Sequence, residues 1–542
     1  MRKKTMAPQL FWVLISCVSL LCSFSEVSAQ EIVNDASLVA RPTSGGGDSF
    51  NPIVTPDGRY VLFASTAANL VVSSNNTPLI SHGPPNTLNV FLRDRSAGKT
   101  SLVSVNLEGN AGANADTIPV GISTNGRYVL FESAASNLVF GDTNTCTDVF
   151  LRDVIKGETI LVSASYKGGV AFGWSRETVM TPDGRWVAFA SSAVDIVSGD
   201  TNEIVDVFVR DLQTKVTKAA STGAVRKLSY PQGSSSPVIT PDGRYVAFLS
   251  GATNLVPRVT TSGEVYVRDL VSGATRVVST NAHTSPSDSI ISYNQAISDD
   301  GQYVAFETSS GTIFRYHLPS RSFERVATNA TVLNPASTSY GHFRSLDMSP
   351  DGRFITWLAN SGTGSKVLLW DGQTKVTTLV NVDINHLEPT NSLSEWPCVS
   401  ADGRWVAFLS TATNLTTNVV VEGFHLYVRD MQAEDTRLVD RGTNGIGSPR
   451  EFLNAPCLAP DGKFIVYDCS DSGQVDGDNN HAYDVFFTDL ESGTTELISA
   501  RDAALPSTTL PAARYGAVFS LNRDGRFVAF TSFADNLLRG AT

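Results

Sequence analysis

The feature that most constrains this chain is the turn Thr240-Pro241-Asp242-Gly243-Arg244 and the apolar run behind it, Tyr245-Val246-Ala247-Phe248-Leu249-Ser250. Pro241 presets φ for the second turn position, Asp242 tolerates the third, and Gly243 supplies positive φ at the fourth. This is the chemistry of a type I turn closing on a glycine bulge, which joins two antiparallel strands. The run that follows has almost no polar interruption, so its strand should be buried on both faces. A hairpin with two apolar faces needs a sheet on each side.

The turn recurs with its glycine at Gly58, Gly126, Gly184, Gly243, Gly301, Gly352, Gly403, Gly462 and Gly525, at spacings of 51 to 68 residues. Periods of this size mean solenoids, propellers or arrays. An aromatic stands two residues after each glycine, from Tyr60 and Tyr128 to Phe464 and Phe527. Two further strands follow in most copies, such as Asp206 to Asp211 and Thr275 to Ser279, with a short Ser-Gly or Ala-Gly turn between them. Each unit is therefore four short antiparallel strands. Their radial packing predicts an all-β chain, a single large β-propeller of eight full repeats and a partial ninth. The hairpin turns argue against a parallel solenoid.

These residues resemble the TolB-like, WD40-like propeller repeat, whose signature is a Ser/Thr-Pro-Asp-Gly-Arg turn before an apolar strand. The resemblance spans roughly residues 37 to 540. It implies an extracytoplasmic, envelope-associated interaction role. TolB carries an additional N-terminal domain for which residues 30 to 50 are too short, so the same partner is not implied. Propeller peptidases that resemble this family carry a separate hydrolase domain, and no length remains for one here.

Residues 1 to 29 read as a secretory signal peptide: Arg2, Lys3 and Lys4, then the apolar Leu10 to Phe24, then Val27-Ser28-Ala29 before Gln30. An uncleaved anchor would need a longer run, and Leu14-Ile15-Ser16-Cys17 fits a lipoprotein box badly. Residues 30 to 50 form a lead-in whose Ser37 to Ala40 resembles a closing fourth strand, and residues 51 to 542 form the propeller. The last repeat has two strands and then stops, which leaves open closure by eight or nine blades and also a fragment of a longer surface protein. The net charge of -12 becomes -14 without the leader, which carries three cations and Glu26. An acidic chain without basic clusters argues against nucleic acid and anionic membrane surfaces. The expected location is periplasmic, outer-envelope-associated or secreted, with no transmembrane helix after cleavage.

Three features bear on chemistry. The Asp-Gly-Arg arginines and the Arg-Asp pairs at 93-94, 152-153, 210-211, 268-269 and 429-430 recur in too many copies to be a site, and are expected to pair along the blade. The loop between second and third strands carries Asp142-x-Asn144-x3-Asp148, repeated as Asp200, Asn202, Asp206 and as Asp478, Asn480, Asp484. Clustered oxygen ligands suit calcium; the structural alternative is that Asp and Asn bond the loop's own amides. No other cofactor is expected. The linkers between repeats carry an aromatic near the inner strand, and charges accompany several. The candidate ligand-binding residues are Trp174, Arg176, Tyr293, Arg344, Trp396 and Arg514. Aromatics with a few convergent charges on variable loops suit a protein, peptide or glycan.

Cys146, Cys398, Cys457 and Cys469 suit no zinc site. Cys398 and Cys457 share one position in neighbouring repeats and so point the same way around the ring, which disfavours a bond. No Gly-x-Ser-x-Gly elbow appears. The expected function is a non-enzymatic binding or scaffold propeller. The alternative is a polysaccharide lyase or glycosidase at the channel mouth, using Glu395, Glu451 or His342.

Overall fold

The computed structural model describes residues 44–504, except 76, 81–86, 225–232, 283–287, 292–294, 331–344, 361–363, 448–453, 471–472 and 479–481, together with Phe519–Leu521 and Val528–Phe530. The expected leader at 1–29 and the expected closing strand at Ser37 to Ala40 lie outside the described residues. The regular elements described are strands, without a helix. No helix among these residues is long and apolar enough to cross a membrane.

Within residues 43–509 the strands make eight four-stranded antiparallel sheets, each from one contiguous stretch. Blade 3, for example, runs Ser175–Met180, Trp186–Ser191, Asp206–Asp211, Val216–Ala219, and its strands neighbour one another in that order. The blades are residues 49–102, 117–161, 175–219, 234–277, 296–327, 346–379, 394–438 and 457–497. The expected blade is the one observed.

The turn chemistry is visible atom by atom in blade 4. Gly243 has φ +71°, and its N–H donates to Thr240 O at 2.8 Å. Asp242 Oδ1 accepts from the Thr240 hydroxyl at 2.6 Å and from the Arg244 amide at 2.9 Å. The Tyr245 amide donates to Thr240 Oγ1 at 3.0 Å. The strands behind the turns are buried on both faces: Val61, Leu62, Phe63 and Ala64 are all fully inaccessible. Alternate residues face opposite neighbours, so Val61 and Phe63 pack on blade 8 while Leu62 packs on blade 2.

That division closes the ring at eight blades. One apolar cluster joins Val61, Phe63 and Phe91 of blade 1 to Phe464, Val466 and Phe487 of blade 8. The segment before blade 1 bridges the segment after blade 8 at Ser44 and Ala500, and Gly45 N donates to Ser499 O at 3.0 Å. The partial ninth repeat forms its own two-stranded antiparallel sheet, Phe519–Leu521 with Val528–Phe530.

The expected pairing along the blade is present. Arg59, Arg127, Arg185, Arg244, Arg353 and Arg404 reach Asp94, Asp153, Asp211, Asp269, Asp371 and Asp430 at 2.6–3.0 Å. Each aspartate ends the third strand of its own blade. The arginine just before it turns outward instead: Arg93, Arg152, Arg210, Arg268 and Arg429 donate to Thr100, Thr159, Thr217, Thr275 and Thr436 of the outer strand.

Around the centre, polar side chains link one blade to the next. The Asn51 amide donates to Asp468 Oδ2 of blade 8 at 3.1 Å, and its side chain donates to Pro119 O of blade 2 at 3.1 Å. Glu132 Oε1 accepts from Thr178 N of blade 3 at 3.1 Å and from its hydroxyl at 2.5 Å. Glu177 accepts from Ser236 N, Gln295 donates to Ser236 O, Glu307 accepts from the Ser345 hydroxyl, and Asp347 accepts from Val399 N. At the junction of blades 7 and 8 the Cys398 thiol lies 3.8 Å from Pro456 O. Several of these links fall at β-bulges in the inner strands, where Asn51, Glu177, Ser236 and Trp396 have φ between +47° and +56°. A bulge frees backbone groups from the ladder, and the neighbouring blade's side chain takes them up.

Candidate functional site

Antiparallel alternation puts the Asp-Gly turns and the turns between third and outer strands at one end of every blade. The linkers between blades and the loops between second and third strands emerge at the other end. Exposed large apolar side chains are shared unequally between the two. Among the described residues sixteen are exposed, and eleven of them lie on linkers or on second-to-third-strand loops: Leu107, Phe140, Tyr166, Phe172, Val194, Ile384, Leu387, Leu393, Val419, Val421 and Ile446. The other five, Ile155, Ile160, Val216, Val271 and Val376, sit on outer strands or on the turns of the opposite end.

The linker from blade 2 to blade 3 brings two of the expected residues together. Arg176 lies with its guanidinium carbon 4.1 Å from the centroid of Trp174. Phe172, two residues earlier, is 81% exposed. Trp174 and Arg176 flank Ser175, the first residue of the inner strand, and an extended chain puts such positions on one side, while Phe172 precedes a bend at Gly173. The backbone beneath is held by blade 3. Trp174 N donates to Ser192 Oγ at 3.1 Å, and Trp174 O accepts from Ser192 N at 2.9 Å. Phe172 N donates to Asp195 Oδ1 at 2.9 Å, and Tyr166 N donates to Asp195 O at 2.9 Å. Tyr166 is half exposed, with Lys167 Nζ 5.4 Å from its ring. Phe172 and Tyr166 are the residues that sequence reasoning missed here; the signal available was their place two and eight residues before Trp174 in the same linker.

Trp396 is placed differently. It lies inside the inner strand Ser394–Val399, at the bulge, with φ +47°. Its side chain is buried in the cluster between blades 7 and 8, among Ala407, Leu409 and Tyr467. It therefore packs the core and does not line the linker face. Tyr293, Arg344 and Arg514 lie outside the described residues, as do Glu451, His342 and Asn480.

The Asp/Asn loops bond themselves. Asn144 Nδ2 donates to Asp148 Oδ2 at 2.9 Å and to Ala171 O at 3.2 Å, while its Oδ1 accepts from Cys146 N at 2.9 Å. The other oxygen of Asp148 accepts from the Ser163 hydroxyl at 2.7 Å. Blade 3 repeats the pattern: Asn202 Nδ2 donates to Asp206 Oδ2 at 2.6 Å and to Ala224 O at 3.1 Å, and Asp206 Oδ1 accepts from the Ser221 hydroxyl. In both loops the amide nitrogen stands between a carboxylate and a carbonyl, where a calcium ion would need to sit. Burial pushes Asp148 and Asp206 up to about 6 and also raises Asp142 and Asp200. In blade 8, Asp484 accepts from the Ser499 hydroxyl and Asp478 is buried. Among the described residues no three His, Cys, Asp or Glu side chains gather to hold a metal. In the loops of blades 2 and 3 the Asn side chains are taken up by the loops' own groups.

Of the residues named for acid-base chemistry, Glu395 is described. It is the second residue of its inner strand, as Arg176 is of blade 3, and burial raises its carboxyl. The buried pair His425 Nδ1 and Asp440 Oδ2, 3.1 Å apart, is inaccessible to solvent, and its other nitrogen lies 2.8 Å from Val421 O. It holds a loop. The four cysteines are free: Cys398 packs between blades 7 and 8, and Cys457 packs toward blade 1, as identical positions in adjacent blades require.

No family model and no curated protein matches the sequence. Solved structures that resemble it include TolB from Acinetobacter baumannii, at 15% identity and TM-score 0.30, covering 74% of this chain and 89% of that one. An oligogalacturonate lyase in complex with manganese is similar at 12% identity and TM-score 0.41, covering 72% and 94%. A prolyl endopeptidase is similar at 10% identity and TM-score 0.44, covering 90% of this chain and 60% of that one.

Proposed function

We propose that this chain is an exported, non-enzymatic β-propeller that binds or scaffolds a protein, peptide or glycan on its linker face. The observation that supports the reading is the one-sided distribution of exposed apolar side chains, eleven of sixteen at that end. Exposed apolar side chains gathered at one end are what a binding face presents, and this supports the reading. The leader at 1–29 is what supports export.

Affinity capture from the native envelope tests this. Phe172→Ser with Leu387→Ser should lose a partner that the wild type retains, while Ile155→Ser with Val271→Ser at the opposite end should keep it. Loss in the second variant alone would overturn the reading. The enzymatic alternative draws on Glu395, whose raised carboxyl stands on the inner ring with Arg176. Turnover of any polysaccharide by purified protein, abolished in Glu395→Gln, would replace the binding reading with that one.

A further inference from the structure

The three exposed aromatic side chains among the described residues belong to two bonded segments. Tyr166 and Phe172 stand on the linker from blade 2 to blade 3. Phe140 stands on the blade 2 loop, whose Asn144 Nδ2 donates to Ala171 O beside Phe172. Asp195 of blade 3 ties the linker down: its carbonyl accepts from Tyr166 N, and its carboxylate accepts from Phe172 N. Val194, next to Asp195, is exposed as well. Tyr166, Phe172 and Val194 are therefore held around one buried aspartate. Trp174, with Arg176 over its ring, continues the surface into the inner strand. These bonds hold the surface in place before anything binds, which lowers the ordering cost of binding.

The charges of this surface are sorted by depth. Lys167, with Nζ 5.4 Å from the Tyr166 ring, and Arg176 are both exposed. The nearby carboxylates are covered or committed. Asp195 and Asp142 are buried. Glu177 gives Oε2 to Ser236 N, and its Oε1 lies 4.0 Å from Arg176 Nε, too far for a hydrogen bond. Asp200 and Glu203 come later in the blade 3 loop, where Asn202 bonds Ala224 O of the next linker and Asp200 lines the groove toward Arg268 of blade 4. Glu108, on the preceding linker, accepts from Asn106 Nδ2. An incoming carboxylate thus meets two charged donors, whereas the linker offers an incoming cation no exposed carboxylate. A neutral sugar is poorly matched, since its hydroxyls need acceptors as well as donors. Tyr, Trp and Arg are the residues in which the energetic centres of protein interfaces are enriched, and Val194 adds an aliphatic contact that only an apolar side chain would cover.

We infer that the linker surface at 166–176 is a docking site for an acidic segment of another protein, one that sets an apolar side chain beside Asp or Glu. This rests on the proposed binding role and narrows it to one linker and one partner chemistry. The test is selection of a displayed random-peptide library on the intact protein, followed by anisotropy with the selected peptide carrying a fluorescent label. Selected peptides should pair Asp or Glu with Leu, Val or an aromatic. Binding should fall by about tenfold or more in Lys167→Glu with Phe172→Ser, both exposed positions, and should weaken with added salt. The same peptide with its acids changed to Lys should bind Lys167→Glu with Arg176→Glu better than it binds the wild type. Ile155→Ser with Val271→Ser, at the opposite end of the blades, should leave binding unchanged. Basic or uncharged winners overturn the inference, as does binding lost only in Leu387→Ser with Val419→Ser; the linker-face reading survives that last result. Heparin is the anionic-sugar probe: if it outcompetes every selected peptide and loses its own binding in the Lys167 and Phe172 variant, the occupant is an anionic glycan and the inference fails while the linker-face reading stands. Winners indifferent to both linker-face variants, or no winners, overturn both.

Discussion

The ring of Phe464 in blade 8 lies against the turn glycine of blade 1: a Cβ on Gly58 would fall 2.8 Å from Phe464 Cε1. The same contact recurs at every junction. Tyr60 covers Gly126, Tyr128 covers Gly184, Trp186 covers Gly243, Tyr245 covers Gly301, Tyr303 covers Gly352, Phe354 covers Gly403 and Trp405 covers Gly462. The aromatic after each turn thus packs on the next blade's turn, and Phe464 on Gly58 completes the circle. In six of these blades the turn arginine lies over the same aromatic, 4.5–5.0 Å from its centroid.

Gly243→Ala should therefore lose stability twice. The residue would sit at φ +71°, costing ~1–2 kcal/mol for an L side chain. Its Cβ would also fall 2.3 Å from Trp186 Cδ1, and overpacking adds ~1–3 kcal/mol. Gly98→Ala is the control, with φ +59° and nothing within 4 Å. Denaturant unfolding of the two should separate them by the overpacking contribution. Equal losses would mean that the ring contact contributes nothing.

Melting temperature against pH should peak at a mildly acidic value. Arg185 holds Asp211 down at about 2, and Arg59 and Arg353 hold Asp94 and Asp371 well below the usual carboxylate range. These depressed groups stabilise the fold above their unfolded value near 3.8, and that contribution is lost as pH falls toward 2. Burial lifts Glu132 to about 7 and Asp148 and Asp206 to about 6. These raised groups favour the fold while protonated, so stability declines as pH rises from their unfolded values, near 4, to 6–7. The two limbs leave the maximum near pH ~4–5. A monotonic rise from pH 4 to 8 in low-salt thermal melts would contradict this.

Glu132→Gln isolates one of these groups. The amide oxygen of Gln can still accept from Thr178 N and its hydroxyl, which now bond Glu132 Oε1, but it cannot ionise in the buried site. The variant should match the wild type near pH 5 and melt higher at pH 8. A lower melting temperature at both values would show that the charge itself holds blades 2 and 3 together.

What could be read from the sequence was what depends on neighbours in the chain. Pro241, Asp242 and Gly243 make their turn with local bonds, and the unbroken run from Val246 to Leu249 announces burial on two faces. Blade number was not legible, because the turn at Gly525 has the same local chemistry as the other eight. What separates them is whether Phe464 meets Gly58, a contact between residues over four hundred positions apart. Trp174 and Trp396 show the same limit. Both precede an inner-strand hydrophobic residue, but Trp174 stands one before Ser175 and Trp396 two after Ser394. Such an odd offset in an extended chain reverses the side that a residue faces, and the bulge at Trp396 completes its turn into the core.

Calcium should leave the melting temperature unchanged. The amide of Asn144 already supplies the positive end between Asp148 and Ala171 O, and Asn202 does the same between Asp206 and Ala224 O. Asn144→Asp with Asn202→Asp should destabilise the wild-type fold and create a response to millimolar calcium that the parent lacks, since a third carboxylate would then need a cation. A calcium-dependent rise in the parent protein would show that the loops do hold the ion.

Asn51 separates strain from linkage. It has φ +56°, a conformation that Asn tolerates better than other side chains do. Its amide bonds Asp468 of blade 8, and its side chain bonds Pro119 O of blade 2. Asn51→Gly keeps the conformation and the amide bond and loses the side-chain bond, at about 1 kcal/mol. Asn51→Ala loses the same bond and adds the left-handed penalty of ~1–2 kcal/mol. Unfolding free energies should therefore fall in the order wild type, Gly, Ala. If Gly and Ala were equally destabilising, the bulge would not be holding Asn51 in a strained conformation, and the side-chain bond across blades 1 and 2 would account for the whole effect.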